Sequence, residues 1–257
     1  MPIPRPAYGT SDWFEALYRR SAGDPWGLDW RPSQQLRFAA MLEVVQAARA
    51  TLPAHPRVLD FGCGAGDFTA QLAEWAAGEG GELLAVDASP TAVARARVRI
   101  GLGRCEAWDP AMCAVRAPEG FDLLTCLEVL YYVPAPERAA FLASLARLVR
   151  PGGLALFSSM VGRGPYLSAA GLRREVGGAF EVRQEATLHA RPLALAEKAL
   201  MAVARRTVRG GQVPTRWTRA FRRLAGPRQA ALSARWAGRL LGPWAASHNY
   251  VLARKPA

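Results

Sequence analysis

With 257 residues, 51% of them hydrophobic and 21% charged, the chain is long enough for one domain with additions and apolar enough to bury a core. Its four cysteines lack metal-type spacing, no uncharged apolar run could span a bilayer, and the start has no signal-peptide centre, so a cytoplasmic protein with reduced thiols and no metal site is expected. The formal net charge of +12 suggests a nucleic-acid partner until it is mapped: residues 191–244 hold twelve Lys or Arg and one acid, Glu197, for +11, while the rest holds 21 basic and 20 acidic residues, for +1.

Two apolar-periodic stretches, Trp13-Phe14-Ala16-Leu17-Tyr18 and Leu36-Phe38-Met41-Leu42-Val45, predict helices between Ser11 and Ala48. Between them the turn-rich Gly23-Asp24-Pro25-Trp26-Gly27-Leu28 carries one large aromatic. Val58, Leu59 and Phe61 suit a buried parallel strand, Gly62, Gly64 and Gly66 permit a tight turn with close backbone approach, and residues 67–76 read as the following helix. A dinucleotide fingerprint would have glycine where Asp67 stands. A carboxylate there disfavours a pyrophosphate and tolerates a cationic ligand such as S-adenosyl-L-methionine (SAM), which carries a sulfonium and an ammonium group.

Leu83 to Asp87 reads as a second buried strand ending in an acid suited to ribose hydroxyls, and Ser89-Pro90 caps the next helix, with Ala92, Val93, Ala96 and Val98 on its apolar side. A helix is expected over 135–149 with Ala139, Phe141, Leu142, Leu145 and Leu148 inward, then a strand over 154–159, a helix over 167–176, a strand over 180–189 and a final strand over 249–253.

This order of motifs resembles the class I SAM-dependent methyltransferases over roughly Arg57 to Ser159. Leu59-Asp60-Phe61-Gly62-Cys63-Gly64-Ala65-Gly66 is similar to the family's first motif, Asp87 to its ribose-binding acid, Trp108-Asp109 to the strand end that meets adenine, residues 121–130 to its fourth strand, and Leu148-Val149-Arg150-Pro151-Gly152-Gly153 to the turn into strand five. The resemblance implies an α/β fold, a doubly wound, mostly parallel, Rossmann-like sheet of seven strands whose last strand is antiparallel. It also implies SAM as cofactor, held by Asp60, Gly62, Cys63, Gly64, Gly66, Asp87, Ala88, Trp108, Asp109 and Leu127. Tyr18 and Trp26 are candidates to close over it from the N-terminal helices, or else simply to pack in the core. A narrower resemblance, to nodulation-type N-methyltransferases, rests on Asp24-Pro25-Trp26, residues 84–92 and Glu128-Val129-Leu130-Tyr131-Tyr132; it weakens beyond Ser159, and Arg31-Pro32-Ser33-Gln34-Gln35 departs from that group's pattern.

The expected organisation is an N-terminal helical cap (1–50), a SAM-binding core (51–190), a basic helical insertion or lid (191–244) and the last core strand (245–257). Glu128, Tyr131 and Tyr132 follow strand four, where an open α/β sheet presents groups to substrate, and are the candidate catalytic residues; His189 ranks below them. The partner implied is a small-molecule methyl acceptor with an N or O nucleophile, or a lipophilic phenol or quinone met at a membrane surface. A non-catalytic SAM-binding protein docking on nucleic acid or a partner is the remaining alternative. Nothing resembles the Asn/Asp-Pro-Pro-Tyr signature of base-amino methylation, which disfavours a nucleic-acid substrate.

Gly210-Gly211, Pro214, Gly226-Pro227 and Gly242-Pro243 divide the insertion into three helical pieces, with apolar sides Leu193/Leu200/Ala204/Val208, Trp217/Phe221/Leu224 and Leu232/Trp236/Leu240. Arginines occupy the other faces. The segment is expected to be a lid whose apolar sides pack inward over the acceptor, with peripheral membrane contact as the rival reading.

Overall fold

The computed structural model describes residues 7–21, 23–100, 104–108, 117–162, 165–207 and 214–257. They form two compact units: those within residues 1–25, 44–186 and 249–257 make the first, and those within 26–43 and 187–248 the second. The stretch expected to form one N-terminal cap is thus divided between them.

Seven strands make one sheet: β1 (Arg57–Phe61), β2 (Glu82–Asp87), β3 (Arg104–Ala107), β4 (Phe121–Leu127), β5 (Val149–Met160), β6 (Glu181–Leu188) and β7 (His248–Arg254), in the order β3-β2-β1-β4-β5-β7-β6. β1 runs parallel to β2 and β4, β2 to β3, and β4 to β5, so the first five strands are a parallel array. The Gly152 and Lys255 amides donate to the Lys255 and Gly153 carbonyls, which joins the beginning of β5 to the end of β7 and makes β7 the antiparallel strand. Val58, Leu59, Leu84, Val86, Leu124, Cys126, Ala155 and Phe157 are all buried, the continuous apolar strands that a sheet covered on both faces requires.

The helices of the first unit follow their caps. Thr10 accepts from the Trp13 amide to open α1 (Ser11–Arg20), and Ser89 accepts from the Ala92 amide to open α4 (Pro90–Arg99), whose proline stands at the first turn as expected. Ala92, Val93 and Ala96 of α4 are buried, but Val98 is exposed: its place on the helix turns it away from the face that packs. Between β1 and β2 lies α3 (Asp67–Gly78), and between β4 and β5 lies α5 (Arg138–Leu148), directly after a 3-10 turn at Ala135–Glu137. Leu142 and Leu145 of α5 are buried, while Ala139, expected inward, is exposed. Helix α6 (Ala169–Gly177) completes the order before β6.

The second unit is helical. It contains most of α2 (Pro32–Ala47), then α7 (Arg191–Thr207), α8 (Thr215–Leu224), α9 (Pro227–Leu241) and a 3-10 turn at Gly242–Ala245. The single acid of the basic segment, Glu197, is buried on α7, where it accepts from Arg31 Nε at 2.8 Å, from the Ser33 amide at 2.7 Å and from Ser33 Oγ at 2.5 Å. That carboxylate meets the first turn of α2, where free amides favour negative charge, and it explains why residues 26–43 associate with α7.

One expectation about this unit is corrected. On α9 the buried residues are Ala230, Ala234 and Ala237, and the side expected to pack, Leu232, Trp236 and Leu240, is exposed. On α8 no residue is buried; Trp217 and Phe221 are half-buried and Leu224 is exposed. On α7 the apolar side is closer to the expectation, with Ala204 buried and Leu193 and Leu200 half-buried; Val208 lies outside the described residues.

Candidate functional site

The site is built around the turn from β1 into α3. The amides of Gly62 and Cys63 both donate to the Val86 carbonyl, at 2.8 and 3.0 Å, pinning the turn to the neighbouring strand. Gly62 has φ 78°, and a Cβ on it would lie 2.4 Å from Val129 Cγ2, so only glycine lets the turn approach the chain that leaves β4. The residues after β1 and those after β4 are thereby brought into contact.

Asp87 ends β2 beside this turn. Its carboxylate accepts from the Gly64 amide at 2.8 Å and from the Ser89 amide at 2.9 Å. Burial raises its pKa, with the nearby Glu15 carboxylate adding to the rise and the two amide bonds opposing it. Each carboxylate oxygen keeps further lone-pair capacity, so the group can accept from hydroxyls of a bound nucleoside. Ala88, next in sequence, is exposed. Trp108 follows β3, with its amide bonded to the Asp87 carbonyl at 2.8 Å and its ring edge-on to Phe61 at 4.6 Å. Asp109 lies outside the described residues.

Other expected cofactor residues have supporting places. Asp60 is buried and accepts from the hydroxyls of Thr69 at 2.6 Å and Thr125 at 2.7 Å, which ties β1 to α3 and β4 and makes it a positioning residue for the turn. Cys63 Sγ lies 3.6 Å from Cys105 Sγ; that contact, burial and the carboxylates of Asp87 and Asp60 hold its thiol neutral. Leu127 ends β4, half-buried. Gly66, at φ 84°, precedes α3, and a Cβ there would stand 3.1 Å from Ala96 Cα, so this glycine serves the packing of α3 on α4. Asp67 forms an ion pair with Arg99 of α4. The negative charge expected to discriminate against phosphate is therefore already matched by a cation of the same fold.

Tyr18 is buried with its hydroxyl over the turn, 2.7 Å from where a Gly64 Cβ would stand. What holds α1 there is Glu15, a residue the sequence reading missed. Its carboxylate accepts from Ser89 Oγ at 2.7 Å, the Thr91 amide at 3.0 Å and Thr91 Oγ1 at 2.7 Å, at the N-terminus of α4. Burial pushes its pKa up, but these bonds and Arg19 outweigh it and hold the carboxyl at about 2. Arg95 of α4 adds bonds to the carbonyls of Tyr18 and Ser21, at 2.8 and 2.5 Å. Trp26 belongs to the second unit, where its carbonyl accepts from Arg31.

On the side of β4, Glu128 has φ 62°, the sole positive φ outside glycine among the described residues. A glutamate held in the left-handed region costs about 1–2 kcal/mol and persists where the surroundings fix it. Its amide donates to the Ser158 carbonyl and its carboxylate accepts from Ser158 Oγ at 2.7 Å. A one-turn 3-10 segment, Leu130–Tyr132, follows. Tyr131 is buried and stacks against Tyr132 at 4.6 Å and Tyr166 at 5.0 Å; Tyr132 meets Phe14 at 4.9 Å and Tyr8 at 5.5 Å. Burial first, then neighbouring Tyr8, raises the pKa of Tyr132 and of Tyr166. Glu128, Tyr131 and Tyr132 are thus brought together, and Tyr8, Phe14 and Tyr166, missed in the sequence, extend the cluster. His189 is placed in the second unit, its ring against Gly238 of α9.

A parallel α/β sheet with a glycine turn after β1, an acid after β2 and an acidic, aromatic turn after β4 has the doubly wound, Rossmann-like fold of the class I methyltransferase kind. Residues 58–153 match the family described as a methyltransferase domain.

Nodulation protein S of Rhizobium tropici is 33% identical over 153 residues, 58% of this chain and 61% of that protein. The ubiquinone biosynthesis O-methyltransferase of Thiobacillus denitrificans is 38% identical over 108 residues, 40% of this chain and 44% of that protein. The chain therefore spans about three fifths of the first relative and under half of the second. Among solved structures, magnesium protoporphyrin IX methyltransferase from Synechocystis with bound SAM superposes with a TM-score of 0.57 at 17% identity, covering 95% of this chain and 94% of that one, a likeness of fold.

Proposed function

We propose that the protein transfers a methyl group from SAM to a nitrogen or oxygen nucleophile of a small molecule. The observation that carries this reading is the approach of Gly62 to Val129, which puts a nucleoside-suited turn beside a carboxylate and a group of phenols. SAM supplies a methyl group on a positively charged sulfur, which an in-line nucleophile can displace. The chain's task is to hold that sulfur and the acceptor in register and to take up the acceptor's proton.

The residues fit a bound nucleoside. Asp87 would accept from the ribose hydroxyls, the glycine turn would lie against the cofactor, and Trp108 would frame the adenine. On the acceptor side, the raised pKa values of Tyr132 and Tyr166 keep those phenols protonated, so they donate hydrogen bonds and cannot act as bases at neutral pH. Glu128 is then the proton acceptor of the group, and the strain at its backbone is consistent with a functional placement. Aromatic faces around a carboxylate suit an amine in particular. An O-methyltransferase for a lipophilic phenol or quinone is the second reading, supported by the match to the ubiquinone enzyme.

Calorimetric titration of S-adenosylhomocysteine into wild type and Asp87→Ala tests the assignment. Losing a charge-assisted acceptor should weaken binding by about 2 kcal/mol, roughly 30-fold. Undiminished affinity in a folded Asp87→Ala would remove the cofactor site from this turn. The acceptor class is separated by following label from methyl-labelled SAM into pools of amines and of phenols.

A further inference from the structure

Ten large hydrophobic residues stand exposed among the described residues, and eight of them lie within residues 191–244, about a fifth of the chain. Helix α9 shows why this is not ordinary surface scatter. At about 100° per residue, Leu232, Trp236 and Leu240 share one stripe, Arg228, Arg235 and Arg239 lie along its edge, and the buried Ala230, Ala234 and Ala237 occupy the opposite side. A helix built only to cover a core turns its large apolar side inward. This one turns alanine inward and holds Leu-Trp-Leu outward, with Leu240 75% exposed. Leu241, on the alanine side at the helix end, and Trp244 just after it are exposed too, and α8 sets an apolar side opposite four arginines with no buried residue.

We propose that this face docks on an anionic phospholipid membrane, Leu232, Trp236 and Leu240 entering the headgroup boundary while Arg228, Arg235 and Arg239 meet lipid phosphates. Charge selects the occupant. The segment carries +11, and its single acid, Glu197, is buried in a bonded pair with Arg31, so none of the segment's own carboxylates offsets the arginines at the surface. A second copy of the same face would bring two strongly cationic surfaces together. Nucleic acid would satisfy the arginines but gives Leu232 and Leu240 nothing to enter. An anionic bilayer matches both the apolar stripe and its cationic border, and Trp236, with Arg239 5.8 Å above its ring, is an amphipathic pair suited to headgroup depth. No helix among the described residues is long and apolar enough to cross a membrane, so the contact is peripheral. This replaces the expected inward-packing lid for α9 and does not depend on which reaction the first unit performs.

The test is flotation of the full chain with phosphatidylcholine vesicles, with and without phosphatidylglycerol, at about 0.1 and about 0.5 M salt. Binding to the anionic vesicles that falls with salt, and a drop of at least ~10-fold in the partition coefficient of a Leu232→Gln/Trp236→Gln/Leu240→Gln variant, is the expected result. The same variant should retain wild-type circular dichroism, since its substituted side chains are exposed. Failure to float with anionic vesicles at low salt, equal floating with neutral ones, or undiminished floating of the variant overturns the proposal. So does salt-sensitive retention on RNA without vesicle binding, which would assign the arginines to nucleic acid.

Discussion

The glycine turn and helix α9 use the same residue chemistry in opposite senses. Around the turn, Leu59, Val86 and Leu124 are buried, and the carboxylates of Asp60, Asp87 and Glu15 are engaged by hydroxyls and amides. On α9 the large apolar side chains face outward and the small ones inward. The first region fixes its polar groups by hydrogen bonds within the fold, and the second presents large apolar side chains to solvent. Apolar periodicity identifies a stripe in both cases; what lies against it determines whether the stripe is core or interface.

The sharpest way to break this contrast is to delete apolar volume under the turn. Leu59→Ala removes a fully buried side chain from β1 and should destabilise by about 2–5 kcal/mol, read as a lowered denaturation midpoint. A loss below about 1 kcal/mol would mean that the region is not packed as described.

Next in size is an effect on rate. Glu128→Gln keeps a carbonyl oxygen for Ser158 and the same backbone, and removes only the charge. If Glu128 takes up the acceptor's proton, kcat should fall about 100-fold, while S-adenosylhomocysteine affinity and thermal midpoint stay near wild type. A kcat within twofold of wild type would leave Glu128 a structural acid that holds the turn after β4.

Much of the first unit was legible in the sequence because its signals are local. Buried strands, three glycines at fixed spacing, Asp87 at a strand end and Ser89-Pro90 at a helix start each carry their meaning within a few residues. Glu15 carries no such signal: its partners Ser89 and Thr91 lie 74 and 76 positions away, and on α1 it reads as one more solvated charge. Glu197 was hidden in the same manner, since its burial depends on Arg31 and Ser33. For α9 the difficulty was different. Leu232/Trp236/Leu240 and Ala230/Ala234/Ala237 are both periodic stripes, and a rule that ranks faces by hydrophobicity selects the larger side chains as the buried set. Asp67 was read for its charge toward a ligand, without sight of Arg99 one helix away.

Glu15 also gives the turn a pH dependence. Its carboxyl is held at about 2 against an ordinary 4.5, so the stability it contributes is present above about pH 4.5 and is lost as pH falls toward 2. Arg19, largely exposed, adds little, and the Ser89 and Thr91 bonds supply most of the effect. Glu15→Gln should cost on the order of 1–2 kcal/mol at neutral pH and flatten the decline of the thermal midpoint between pH 4.5 and 3. An unchanged slope in that window would show that Glu15 is not tied to α4 in solution.

The smallest expected change concerns α9 and sharpens the comparison most directly. A side chain that is more than half exposed contributes little to folding, so Trp236→Gln should alter stability by no more than about 0.5 kcal/mol, although tryptophan is the largest side chain in the protein. Ala234→Leu, on the opposite side of the same helix, adds volume to a closed contact and should cost about 1–3 kcal/mol. Two substitutions two residues apart would then rank opposite to the size of the side chain removed or added, which only the outward placement of the Leu-Trp-Leu stripe explains. If Trp236→Gln instead destabilises by several kcal/mol and Ala234→Leu is neutral, α9 is rotated the other way, its apolar stripe belongs to a packed interior, and the surface left for a membrane is the arginine edge alone.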